Sequence, residues 1–149
     1  MVQNIILGLM VVVGGLSKIY KRFIPVSLGI ELKTFFTIVI AVSLGAYPAM
    51  VCASLMVLIA AITANRYCHW ILIKIFVYSV VSIVASVLGV LGVVAAGRVA
   101  VIFLNLFYIG FNVLLSNYRI EDMPGNIINV IFTFFLLQVF GAPLVRLLG

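Results

Sequence analysis

Apolar residues run along this chain almost without a break, and polar ones gather in short clusters between the runs. Residues 80–91 are interrupted only by small side chains. A β-barrel would alternate apolar and polar positions along each strand. Continuous runs instead satisfy their backbone hydrogen bonds internally, as helices. A crossing helix needs about 20 mostly apolar residues. The pattern predicts an all-α integral membrane protein, a single bundle of about six transmembrane helices over 2–16, 30–44, 49–64, 70–96, 99–115 and 127–148. The breaks fall at Lys18, Lys21 and Arg22, at Gly45-Ala46-Tyr47-Pro48, at Asn65-Arg66, near Arg98, and at the polar loop 117–125. If Gly45 to Pro48 is a kink and not a turn, residues 30–64 become one bent span and the count is five. Residues 2–16 lack a basic start, so they are expected to be a retained first helix and not a signal peptide.

Composition agrees with this pattern. The chain is 66% hydrophobic and 8% charged, against roughly 25% charged in a soluble domain. Its mean hydropathy is +1.43. The formal net charge of +6 comes from nine basic and three acidic residues. The basic residues are scattered through the loops without interleaved aromatics. They fit the loop bias of a membrane protein, and no nucleic-acid partner is expected. With six spans, Lys18, Lys21, Arg22, Lys33, Arg66, Lys74 and Arg119 share one side, and Arg98 and Arg146 the other. Seven against two places the first side in the cytoplasm and both termini outside. Lys74, one turn inside its span, is expected to snorkel to the headgroups.

Three features are candidates for function. Ala41, Gly45, Ala49 and Ala53 recur every four residues, a smooth stripe that lets a neighbouring backbone approach. It serves packing within the bundle or a partner interface. Asn105, Tyr108 and Asn112 fall on one helical face, and Asn126, Asn129 and Thr133 repeat the spacing. An unpartnered amide in hydrocarbon costs several kcal/mol. These six residues therefore zip two helices together or line a pocket for a small-molecule solute. Asn126 also fits a helix cap. Glu31, the one acid outside loop 117–125, is expected at the membrane edge, where it neutralises Lys33 or Lys74 or stays solvated. A buried acid would instead hint at a relay.

Catalysis is not expected. The single histidine, His69, has no nearby acid to orient it, and Glu121 and Asp122 are adjacent. Cys68 and His69 lack further metal ligands nearby, and Cys52 lies in an apolar run. No metal and no cofactor is expected.

Residues 23–53 carry Ile24-Pro25, then Gly29-Ile30-Glu31, the pair Phe35-Phe36, an apolar span, and Gly45-Ala46-Tyr47-Pro48 with small residues after it. This order resembles the substrate-binding S components of energy-coupling factor transporters, and also the rod-shape-determining membrane proteins. Pro124-Gly125-Asn126 through Phe140-Gly141-Ala142-Pro143 is similar to the last span of many such S components. The resemblance implies a six-helix cell-membrane protein that captures a vitamin or similar micronutrient. Separate membrane subunits and a pair of ATPases would drive release. It also implies termini in the cytoplasm, opposite to the charge count. The expected function is a small-solute-binding subunit of a transporter. The alternatives are a non-catalytic scaffold or assembly subunit and a small oligomeric channel.

Overall fold

The computed structural model describes residues 2–23, 31–64, 70–115 and 123–149, and every regular element among them is helical. Helix α1 covers Val2–Leu16 and leads into a 3-10 turn at Ile19–Arg22. Helix α2 covers Leu32–Leu44 and α3 Ala46–Thr63. Helix α4 covers Trp70–Leu88, extended by a 3-10 turn at Gly89–Leu91. Helix α5 covers Val93–Leu114, α6 Met123–Leu136, and α7 Ala142–Leu148. A π turn at Leu137–Gly141 joins the last two. Four stretches, Ala46–Thr63, Trp70–Leu91, Val93–Leu114 and Pro124–Leu148, are long and apolar enough to cross a membrane, while Val2–Leu16 and Leu32–Leu44 are shorter apolar helices. This is a membrane protein by length and composition of its helices.

Two glycines decide where the long apolar runs divide. Gly45 has φ +93° and ψ 176°, and Gly92 has φ 91° and ψ 153°. Side chains rarely tolerate that region, so each glycine ends one helix and starts the next. Gly45 makes the 30–64 stretch two helices, and α3 folds back against α2. Pro48 sits in the first turn of α3, where its missing N–H leaves no helical bond unmade. Gly92 divides the 70–96 stretch before Arg98 is reached. An added Cβ at Gly45 would meet nothing within 4 Å, so Gly45→Ala isolates backbone strain. The change is expected to cost about 1–3 kcal/mol, read as a lowered thermal midpoint in detergent.

The π turn has a local cause. A proline at 143 clashes with the carbonyl four residues earlier in a regular helix. The widened turn of residues 137–141 lies just before it and accommodates the ring.

The shortest of the first five helices lies at the centre. Helix α2 touches α1, α3, α4, α5, α6 and α7. Phe35, Ile38, Val39, Ile40 and Ala41 are buried, and so are Lys33, Thr34 and Thr37. A helix apolar nearly all round is expected in such a place. Large apolar side chains such as Leu72, Val87, Leu114 and Ile131 point outward. The outside of the bundle is oily, and polar groups collect inside. The start of α2 is therefore enclosed by its neighbours, and whatever side chains it carries are enclosed with it.

Candidate functional site

The residues that begin α2 are charged. Glu31 stands at its N-cap position in an extended conformation, with Lys33 and Thr34 in its first turn. Lys33 retains 2% of its exposure, and the side chains of Lys18 and Glu31 retain 12% each. Burial this deep demands partners, and the carboxylate supplies them. Glu31 pairs with Lys18, which follows α1, and Lys33 Nζ lies 3.4 Å from Glu31 Oε2.

Helix α4 completes the cluster. Tyr78 is buried and donates from its hydroxyl to Glu31 Oε2 at 3.4 Å. Thr34 Oγ1 lies 2.9 Å from the same hydroxyl, so threonine, tyrosine and glutamate form a chain of hydrogen bonds. The Lys33 ammonium also stands over the Tyr78 ring, 5.5 Å from its centroid, a favourable cation–π placement. Tyr108 on α5 packs on the core. Lys74, one turn before Tyr78 on α4, lines a small pocket beside the cluster.

That pocket holds about 70 Å³. Lys18, Lys33 and Lys74 form its charged wall, and Val57, Ala60, Ala61, Ala64 and Ile71 its apolar one. Ala60, Ala61 and Ala64 make room because each side chain is a single methyl. The arrangement can present ammonium groups to a guest while apolar walls hold the rest of it. Lysines that the sequence places at the membrane edge are thus turned partly inward, Lys33 most of all.

The amide stripes behave differently. Asn105 Nδ2 donates to the Val101 carbonyl at 2.8 Å, and Asn112 Nδ2 to the Tyr108 carbonyl at 2.7 Å. Thr133 Oγ1 lies 3.4 Å from Asn129 Oδ1. Each of these bonds stays within one helix. Asn105, Asn129 and Thr133 are buried, while Asn112 and Asn126 are half-buried. Asn105 Oδ1 is buried with no partner among the described residues. Two apolar grooves lie nearby, one along Phe103, Phe107 and Phe111 of α5, the other along Ile128, Ile131 and Phe135 of α6. Neither is lined by an amide. None of the six polar residues lines the lysine pocket.

The small-residue stripe is used within the bundle. Ala41, Ala49 and Ala53 are buried among the chain's own helices, and Gly45 is half-buried at its turn. No group of three or more metal-binding side chains occurs among the described residues. Cys68, His69, Arg66, Arg119, Glu121 and Asp122 lie outside them. No protein-family model matches the chain, and no curated protein or solved structure matches it.

The sequence carries a faint signal for the cluster. If successive helices alternate in direction, Lys18, Glu31, Lys33 and Lys74 all fall at one end of the bundle. Lys74 and Tyr78 are four apart and share a face. What that signal lacks is depth.

Proposed function

We propose that the chain is a multi-pass cell-membrane protein of six spans that binds a small solute as a subunit of a transporter. The observation that carries this reading is the lysine-lined pocket at the start of the central helix. A stack of apolar helices has no packing reason to bury Lys33 and half-bury Lys18 and Lys74 beside it, and doing so opposes stability. Such groups inside a membrane bundle mark a functional site by default.

The termini support the even span count. Gln3 Nε2 donates to the Leu148 carbonyl at 2.6 Å, so the two ends of the chain meet. Thirteen residues of α2 extend about 20 Å at ~1.5 Å per residue. A hydrocarbon core is about 30 Å thick. The central helix is therefore shorter than a hydrocarbon core is thick, and Glu31 and Lys33 stand at its first turn.

Ala61→Phe tests this reading. Residue 61 faces the pocket from α3, and a phenyl ring fills the space that the methyl leaves. Native mass spectrometry of the wild type, released gently from detergent, is expected to show one retained small molecule per chain. The variant is expected to lose it while keeping its helical circular dichroism. A wild type that retains nothing, or a variant that retains the same molecule equally well, would remove the pocket from consideration.

A further inference from the structure

The cluster holds more positive charge than its own carboxylate balances. Lys18 and Lys33 both bond to Glu31, which is the one acidic side chain among the described residues. Lys18 and Lys33 share that one carboxylate and Lys74 stands beside them in the pocket wall, so among the described residues the lysines of this site outnumber its acids. Lys33, at 2% exposure, cannot carry its charge to solvent while α2 stays central. The face of Tyr78 offsets this charge only in part. An incoming carboxylate would offset part of that excess.

The shape narrows the class. A pocket of about 70 Å³ holds no more than a few waters. That suits a carboxylate and the first atoms of its body, and it is too short for a long acyl chain. The wall opposite the lysines is aliphatic, made by Val57, Ala60, Ala61 and Ile71. Charge and wall together describe a small acid with an apolar body.

We propose that this pocket binds a small organic monocarboxylate, and that Glu31 is its built-in competitor. This rests on the solute-binding reading above. With the pocket vacant, Glu31 holds Lys18 and Lys33 in place. When the guest arrives, its carboxylate takes hydrogen bonds from the two ammonium groups. Glu31 keeps the Tyr78 hydroxyl, which Thr34 steadies from the other side. The exchange trades one charge-assisted set of bonds for another, so binding stays reversible.

The test is calorimetric titration of the full-length protein in phosphatidylcholine nanodiscs. The probes are linear monocarboxylates from butanoate to octanoate, with hexanamide and dodecanoate beside them. One short carboxylate is expected to bind saturably, one per chain, and hexanamide not at all. Lys18→Gln, at the rim, is expected to weaken that binding by about tenfold or more. Glu31→Gln is expected to strengthen it by about tenfold, because the competitor is gone. A structural role for Glu31 alone would weaken binding instead, and that result would overturn the proposal. If Glu31→Gln does not fold, Lys18→Gln and the amide comparison decide by themselves. Dodecanoate binding without short-chain binding would assign the pocket to a bilayer fatty acid and overturn it too. A Glu121→Gln/Asp122→Asn variant is expected to bind as the wild type does. A gain there would show that those acids balance the lysines, and would also overturn it. A neutral solute retained by the wild type and lost in Ala61→Phe, with no carboxylate bound, would sink the anion assignment and leave solute binding standing.

Discussion

Glu31→Ala is expected to destabilise the ligand-free protein by about 3–5 kcal/mol, the usual result of removing one partner from a buried ion pair. The physical reason lies with the partners left behind. Lys33 keeps its place in the first turn of a helix that six others surround, and it loses its bond to Glu31 Oε2. Lys18 loses its carboxylate at the same stroke, and the Tyr78 hydroxyl loses an acceptor. Lys33→Met should behave very differently. Methionine keeps the length of the side chain and fills the same apolar surroundings, while Glu31 keeps Lys18. Removing Lys33 leaves Glu31 matched with Lys18, so no buried charge is stranded and the cost should be small. Reversible unfolding in mixed micelles, read by circular dichroism, compares the two. Equal costs would show that packing around residues 31–33, and not charge, holds this end of the bundle.

Gly15→Leu is expected to open the seam between α1 and α3, at about 1–3 kcal/mol. A Cβ on residue 15 would stand 2.6 Å from Ile59 Cγ2 and 2.7 Å from Ile59 Cβ. Those atoms are close to the backbone, and a β-branched side chain on a helix has essentially one rotamer to offer. The helices must part, and with them the loop that delivers Lys18 to Glu31. Gly8→Leu in the same helix is the control. Nothing lies within 4 Å of a Cβ at residue 8, and a leucine is the better helix former. The first variant should lose thermal stability and the second should not. A matching loss in both would mean that glycine serves α1 through its backbone and not through close packing.

Helical character was readable directly from residue order. Unbroken apolar runs cannot form alternating strands, and their lengths suit membrane crossings. The two helix divisions were harder. Gly45 sits beside Pro48, and proline is the stronger breaker on paper, yet the turn is made by the glycine because only it adopts φ +93° without strain. Gly92 lies in a run that contains Gly89 and Gly97 as well. Of these, Gly89 and Gly97 are helical and Gly97 packs against Leu137 and Ile38. Residue type does not tell a turning glycine from a packing one.

The candidate site was legible only in part. Lys18, Lys33 and Lys74 could be assigned to one side of the membrane, and Glu31 could be paired with Lys33. Tyr108 could be marked as polar in an apolar helix. Nothing in residue order singles out Tyr78 and Thr34, because one tyrosine or one threonine is ordinary in any span. The amides of α5 and α6 were conspicuous by their spacing, but an asparagine in a helix can bond its own backbone four residues back. Asn105 and Asn112 do so.

Residue order alone therefore determined the solvent, the helical class and the polar ends of each helix, since these depend on local hydropathy and on backbone bonds closed within a segment. Tertiary structure decided which helix is central. That choice depends on how six surfaces fit together, and no single segment contains it. Because the short helix α2 took the middle, a lysine that would otherwise reach for headgroups was drawn inside with a glutamate, a tyrosine and a threonine. The depth of a charge is a property of its neighbours, and those neighbours come from separate stretches of chain.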